Sequence, residues 1–125
     1  MNAFAHDVPQ PGEFWLAKFG FEENDGRYKV RPVLVLEHKP FGTKVAFCGT
    51  QKLDETTSRT EVLLDDEEAK RVGLQRAGRI CFANHRVISG ADMLRKIGCL
   101  GAPGQKLSIL KFQEMAQAVQ AAGVL

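Results

Sequence analysis

Short apolar runs separated by turn residues occupy the first two thirds of the chain. The clearest run, residues 33–36 (Val-Leu-Val-Leu), follows Arg31 and Pro32 and has the length of a strand. Proline is tolerated there because it stands near the beginning of the strand. Turn residues and charges mark the connections, including a loop at residues 22–29. The pattern predicts five strands, over residues 13–19, 30–37, 44–50, 61–64 and 79–88.

Two segments have helical features instead. Residues 65–73 begin with acidic side chains and end at Gly73, which predicts a short helix whose acidic first turn suits the helix dipole. Residues 107–122 repeat apolar side chains at helical spacing, which predicts an amphipathic C-terminal helix that packs across a small barrel. The apolar positions that define its buried face are Ile109, Phe112, Met115, Ala116, Val119 and Ala122.

Length and composition are those of one globular domain. The chain has 125 residues, of which 44% are hydrophobic and 26% charged, so it builds one core. Residues 1–11 contain two prolines and no periodicity, and we expect a flexible leader there followed by a single domain over residues 12–125. The longest apolar run is too short to span a bilayer, so no membrane segment is expected.

The cysteines indicate the cellular compartment of the protein, and its net charge indicates how it could bind nucleic acid. Cys48, Cys81 and Cys99 are odd in number and far apart, and no secretory signal is seen, so we expect reduced thiols in a cytoplasmic protein. The net charge of +2 is too small for a protein that grips nucleic acid over its whole surface. A nucleic-acid partner would bind at a local patch.

Six short motifs follow one another along residues 11–100. They are Pro-Gly-Glu-Phe-Trp-Leu at 11–16, Val-Arg-Pro-Val-Leu-Val-Leu at 30–36, Val-Ala-Phe-Cys-Gly-Thr-Gln at 45–51, Val-Gly-Leu at 72–74, Asn-His-Arg-Val-Ile at 84–88 and Ile-Gly-Cys-Leu at 97–100. This series resembles the MazF/PemK toxins, the ribosome-independent endoribonucleases of bacterial toxin–antitoxin pairs. The Arg-Pro strand is the most specific match.

The resemblance implies a mainly β, α+β fold, an SH3-like barrel of about five to seven strands with a short helix and a C-terminal amphipathic helix. It further implies a homodimer that cleaves single-stranded RNA sequence-selectively without metal or cofactor, and that a small cognate antitoxin inhibits. Another family of barrel toxins poisons DNA gyrase by protein contact alone. A toxin of that kind and a noncatalytic SH3-like binding module are therefore the alternatives.

Cleavage of RNA without a metal requires a base for the 2′-hydroxyl, a cation for the phosphorane charge and an acid for the leaving 5′-oxygen. Arg31 suits the second task, because Pro32 stiffens its backbone while its planar fork can reach a phosphate. By resemblance it is the family's catalytic arginine. A surface ion pair with Glu22 or Glu23 is the alternative interpretation.

The remaining catalytic candidates are Thr50 and His85. By resemblance, the Thr50 hydroxyl would donate to phosphate or orient the attacking group; closing a turn is the alternative, and Gly49 permits an alignment shifted by one residue. One branch of the family has arginine and aspartate where this chain has Cys81 and Ala83. His85 could take over proton transfer, because histidine is the side chain whose ordinary pKa lies nearest neutrality, although a lone histidine is more often structural.

The groove around these residues is expected to hold the RNA. The candidate substrate-binding residues are Lys29, Arg79, Asn84 and Arg86. No metal site is predicted, since Cys81 and His85 lack a second ligand pair that would complete a tetrahedral set.

Overall fold

Antiparallel strands make up most of the molecule. The structure, a computed structural model, describes residues 8–20, 28–50, 58–101 and 107–124. Within these residues lie six strands, β1 Glu13–Gly20, β2 Tyr28–Lys39, β3 Gly42–Gly49, β4 Glu61–Leu64, β5 Gly78–Ile88 and β6 Met93–Cys99. The described helices are α1, Asp66–Arg71, and α2, Ile109–Ala122. The prediction of a mainly β, α+β fold is confirmed.

The strands expected from the sequence are all present, with ends that differ by at most two residues. β6 is a further strand that the pattern missed. It lies at an edge of the sheet, and Leu94, Arg95 and Lys96 in its first half are all exposed, so it lacks the alternation of a half-buried strand. Of the predicted loop at residues 22–29, the last two residues open β2 and the others lie outside the described residues.

The strands form one sheet in the order β4-β5-β3-β2-β1-β6. Its register pairs Gly49 at the end of β3 with Arg79 near the start of β5. Because neighbouring strands are antiparallel, the start of β2, the end of β3 and the start of β5 lie at the same end of the sheet. Arg31 of β2, Thr50 immediately after β3 and Arg79 of β5 therefore lie at the same end of three neighbouring strands.

Instead of the one core expected from the sequence, two apolar clusters pack on opposite faces of the sheet. Leu34 and Leu36 belong to the larger cluster, to which six other elements including both helices also contribute. Val33 and Val35 belong to the smaller one, together with Trp15 of β1. Residues 33–36 are thus buried throughout, and a strand buried on both faces shows a continuous apolar run. This explains why β2 was the clearest strand in the sequence.

α1 contacts β4 at one edge of the sheet, and the turn after it packs on β6 at the other edge. Its start is set by a capping box, in which Asp65 Oδ1 accepts from the Glu68 backbone N–H at 2.8 Å and Glu68 Oε1 accepts from the Asp65 N–H at 2.9 Å. The turn after the helix contains Gly73, at a φ of +96°, and packs directly on Gly98 of β6. The predicted short helix and its closure by glycine are confirmed.

α2 confirms the predicted C-terminal helix. Ser108 caps its start by accepting from the Lys111 backbone N–H at 3.2 Å, and Gly123 ends it in the left-handed conformation. Met115 and Ala118 are the buried residues of the helix, and its second half packs on the larger apolar cluster.

The predicted buried face of α2 was wrong at three of its six positions. Ile109 is 77% exposed, and Phe112 and Ala116 are also exposed. A polar side chain makes the contact there instead, since Lys111 Nζ donates to Leu63 O of β4 at 2.8 Å. Helical spacing identifies a stripe of apolar residues, but not how far along the helix that stripe meets the sheet.

The last part of the expected leader contacts the barrel. Pro9 is buried, the Gln10 N–H donates to Glu13 Oε1 at 2.9 Å, and the Gly12 N–H donates to Val35 O at 2.9 Å. Residues 1–7 lie outside the described part of the chain. The domain boundary at residue 12 stays a prediction, but the residues immediately before it pack on the fold.

Candidate active site

Arg31 stands at the exposed start of a strand whose continuation is fixed in the core. Residues 33–36 are buried on both faces, and the ring of Pro32 fixes a backbone torsion between them and Arg31. Among the described residues, no carboxylate forms an ion pair with Arg31. Glu22 and Glu23, its alternative partners, lie outside the described residues.

Arg31 borders two adjoining clefts. The first, cleft A, has a volume of about 630 Å³ and lies between the start of β2, the end of β3, the start of β5, the turn after α1 and β6. Thr50 lines it, and its cations are Arg31, Arg76, Arg79, Arg95 and Lys96. None of its described lining residues is a carboxylate. Cleft A is therefore a concentrated positive site on a chain of net charge +2.

Cleft B, of about 460 Å³, shares Arg31, Cys48 and Gly49 with cleft A. It adds three polar side chains and two aromatic rings, which are Lys29, Asn84, Arg86, Phe19 and Phe47. The two rings have their centroids 4.9 Å apart, and the Arg86 guanidinium lies 5.5 Å from the centroid of Phe47. Cations, an amide and ring faces together suit both the phosphate and the base of a single-stranded nucleotide.

Six of the seven predicted site residues line these clefts. They are Arg31 in both clefts, Thr50 and Arg79 in cleft A, and Lys29, Asn84 and Arg86 in cleft B. His85 lines neither. It is exposed on β5 opposite Ala46, and neighbouring residues of a strand point to opposite faces, so its side chain is directed away from the side of Arg86. The predicted part of His85 in proton transfer gains no support from this placement.

A carboxylate on the neighbouring strand holds Arg79. Glu61 of β4 accepts from Arg79 Nη1 at 3.1 Å through Oε1, and from Cys81 Sγ at 3.4 Å through Oε2. The Ser58 backbone N–H, the Cys81 thiol and the Arg79 charge hold the pKa of Glu61 below its usual value, although partial burial opposes them. Glu61 is therefore an anion at neutral pH and a fixed partner for Arg79.

The two cysteines at the clefts are neutral thiols. Burial raises the pKa of Cys48 far above its usual range. Burial, followed by the hydrogen bond to Glu61, raises the pKa of Cys81 to about 11. A protonated thiol is a weak nucleophile and a weak metal ligand, so neither side chain suits covalent catalysis. In the described part of the chain no three His, Cys, Asp or Glu side chains gather as a metal site would require.

Several cleft residues were missed by sequence reasoning. Arg95 and Lys96 belong to β6, and they reach cleft A because β6 pairs with β1, with Leu16 opposite Arg95. Arg76 lies in the turn after α1, which crosses to the same edge. No local pattern marks these three cations, because their position depends on which strands pair.

The comparisons with known proteins identify the family. The model of PemK-like, MazF-like toxins of type II toxin–antitoxin systems matches residues 10–121. The chain belongs to this family. The resemblance inferred from the six motifs is thereby confirmed. A comparison with curated protein sequences gave no match.

Solved toxin structures share the fold. The Mycobacterium tuberculosis toxin MazF-mt6 is 23% identical over 90% of this chain and 97% of its own, with a TM-score of 0.61. A structure described as an Mtb toxin is 25% identical over 74% of this chain and 91% of its own, with a TM-score of 0.54. An endoribonuclease from a mycobacterial species, in complex with its cognate antitoxin, is 12% identical over 94% and 97%, with a TM-score of 0.61.

These likenesses confirm the predicted SH3-like barrel as a MazF-like fold with six described strands and a C-terminal helix. None of the described helices has the length and apolar character that crossing a membrane requires.

Proposed function

We propose that this toxin is a metal-independent, sequence-selective endoribonuclease that cleaves single-stranded RNA. The observation that carries the proposal is the position of Arg31, at the shared border of two clefts, with Thr50 and further cations beside it. Membership of the PemK-like, MazF-like toxin family supports the same activity.

In the proposed reaction the RNA 2′-oxygen attacks the adjacent phosphorus. The bond from phosphorus to the 2′-oxygen forms, the bond to the 5′-oxygen breaks, and the products are a 2′,3′-cyclic phosphate and a 5′-hydroxyl. The 2′-oxygen loses one proton and the 5′-oxygen gains one. Arg31 stabilises the negative charge that develops on the phosphate oxygens, and Thr50 donates a hydrogen bond to the same group.

In the proposed reaction, stabilisation of the phosphate charge contributes more to the rate than proton transfer by side chains does. The described lining residues of both clefts include five arginines and two lysines in total, whereas none is a carboxylate or an imidazole. Water therefore accepts and returns the protons in the proposed scheme, and preorganised cations supply the catalysis.

Cleft B is the proposed binding site of the nucleotide next to the cleaved bond. Lys29 and Arg86 bind its phosphate, and Asn84 bonds to the edge of its base. We also propose a homodimer that acts in the cytoplasm without a cofactor. A small cognate antitoxin would inhibit it, in keeping with the complex known for the mycobacterial endoribonuclease.

The test is incubation of the purified protein with a long RNA in EDTA, followed by mapping of the new ends. We expect cuts at a recurring short sequence that leave 5′-hydroxyl ends. Arg31→Ala should lower the rate on the order of a hundredfold or more, because it removes a cation aimed at the developing phosphate charge. Arg31→Lys should restore only part of the rate, since a point charge replaces a bidentate fork.

Two controls separate the site from general effects of charge. Arg71→Ala removes an exposed arginine of α1 that lines neither cleft, and it should cut at the wild-type rate. His85→Ala tests the histidine that the sequence suggested, and we expect little change because of its position outside the clefts. Wild-type protein that cuts no RNA would instead support the noncatalytic binding module.

A further inference from the structure

One branch of the MazF/PemK family has an arginine on the fifth strand that this chain lacks at the matching position. The resemblance aligns that arginine with Cys81, which is a neutral thiol in this chain. Arg79 lies two residues earlier on β5, and the regular register between them places both on the same face of the strand. The chain thus keeps an arginine on this face, about 7 Å along the strand from Cys81.

Arg79 is placed to act together with Arg31. It lies opposite Gly49, the residue before Thr50, while Arg31 is on β2, the other neighbour of β3. One strand, β3, lies between β2 and β5, so two interstrand spacings separate the backbones of Arg31 and Arg79 by about 10 Å. A phosphate bound in the cleft between these strands, beside the Thr50 hydroxyl, can contact both side chains. Both arginines line cleft A.

Glu61 gives Arg79 a fixed direction. The side chains of Arg79 and Glu61 are only 12% and 22% exposed, so water screens their ion pair less than it screens a surface pair. The carboxylate is itself held by the Ser58 backbone N–H at 3.1 Å and by the Cys81 thiol at 3.4 Å. The thiol therefore supports the carboxylate that orients Arg79.

We propose that Arg79 is a second catalytic cation of the RNA-cleaving site and that Glu61 is its positioning residue. This inference rests on the endoribonuclease activity proposed above. Arg79 and Arg31 both contact the phosphate at which the chain is cut. Glu61 contacts no RNA, and it acts by holding the guanidinium in place before substrate arrives.

A double-mutant cycle tests this proposal through the rate of RNA cleavage. An RNA with one mapped site is cut in EDTA at saturating protein, so that the rate constant is separated from binding. Arg79→Met removes the charge but keeps the length of the side chain, and should lower the rate constant on the order of a hundredfold. Glu61→Gln should lower it about tenfold, with little change in the half-saturating protein concentration.

The double variant decides between positioning and independent effects. If Glu61 acts through Arg79, the Glu61→Gln/Arg79→Met protein is no slower than Arg79→Met alone. Additive losses, or a wild-type rate in either single variant, would overturn the proposal. Glu67→Gln is the matched control, because it breaks the exposed ion pair with Arg71, whose atoms lie 2.8 Å apart, and should leave the rate unchanged.

Thermal unfolding of each variant shows whether it is folded at the assay temperature. If Glu61→Gln is unfolded, Glu61→Asp replaces it, since the shorter side chain keeps the charge but withdraws the carboxylate from Arg79. The same tenfold loss is then expected, and a wild-type rate would refute the positioning role. Wild-type protein without cleavage activity refutes the proposed function first, whereas an active wild type with unaffected Arg79 variants refutes this inference alone.

Discussion

The cations of cleft A differ in whether a carboxylate already holds them. Arg79 pairs with Glu61, and Lys96 pairs with Glu13 at 3.1 Å. Arg31, Arg76 and Arg95 form no ion pair within the described parts of the chain. A phosphate entering the cleft therefore meets cations of both kinds, some oriented in advance and others exposed to solvent. Binding should weaken steeply with salt, because exposed charges are screened most.

Glu13 links Lys96, which lines cleft A, to the buried Trp15. Its Oε1 accepts from Trp15 Nε1 and from the Gln10 N–H, each at 2.9 Å, and its Oε2 pairs with Lys96. Partial burial alone would raise the pKa of Glu13, but these partners hold it below its usual value. Since folding lowers the pKa, the carboxylate stabilises the fold above its unfolded pKa, and this contribution disappears as pH falls through the folded value.

We therefore expect Glu13→Gln to lower the free energy of unfolding by about 1 kcal/mol at pH 7. The difference from wild type should shrink as the pH falls below about 4, where both side chains are neutral. Urea unfolding at several pH values measures it. Glu37→Gln is the control, since the Glu37 side chain is 47% exposed against 15% for Glu13, and its pair with Lys39 should contribute little. A difference that stays constant with pH would contradict the pKa shift.

Individual site residues could be predicted where a local motif carries them. Arg31 and Thr50 belong to short segments with their own signature, and both line cleft A. Arg95 carries no such signature, and its place at the cleft depends on the pairing of β6 with β1, which joins residues about eighty positions apart. The partnership of Glu61 with Arg79 likewise depends on the register of β4 against β5.

Strands and helices could be predicted from the sequence where their burial against the sheet produces a clear hydrophobic pattern. β2 was clear because both of its faces are buried, whereas β6 was missed because an edge strand needs few apolar residues. α2 was found by its spacing, but its contact with the sheet begins later than its apolar stripe does. Ile109 consequently stays 77% exposed, while Met115 is buried. Helical spacing of apolar residues shows that a helix is amphipathic, but not which of its residues contact the sheet.

Gly98 allows the turn after α1 to pass in direct contact with β6. A Cβ built on Gly98 would overlap the Val72 carbonyl oxygen and lie 2.7 Å from the Gly73 Cα, and backbone atoms cannot move aside as a flexible side chain can. Gly98→Ala should therefore destabilise the fold by about 3 kcal/mol or more. It should also disturb cleft A, whose lining includes Gly73 and Ile97 from the two crossing segments.

Chemical unfolding of Gly98→Ala beside Gly90→Ala measures this effect. Gly90 lies in the short turn between β5 and β6, and a Cβ added there meets no atom within 4 Å. The control should stay within about 0.5 kcal/mol of wild type. Equal stability of the two variants would show that the crossing is looser than the backbone contacts indicate.

Apolar side chains stay exposed both on strands and on α2 in the described part of the chain. Val30, Val87 and Leu94 are each more than two fifths exposed on strands, and Ile109 and Leu110 are more than seven tenths exposed on α2. A standard interface covers about 800 Å² on each partner, about a tenth of the 8073 Å² surface of this chain. The exposed apolar residues of the strands or those of α2 could contribute the apolar centre that such an interface needs.

We predict a homodimer in solution, with twice the 13.8 kDa mass of the chain by light scattering at micromolar concentration. Val87→Glu places a charge on the sheet surface and Leu110→Glu places one on α2, and both positions are exposed, so neither substitution disturbs the core. The variant that falls to the monomer mass identifies the surface used, because a charge buried in an apolar interface is strongly destabilising. A wild-type mass of 13.8 kDa at tens of micromolar would contradict the dimer.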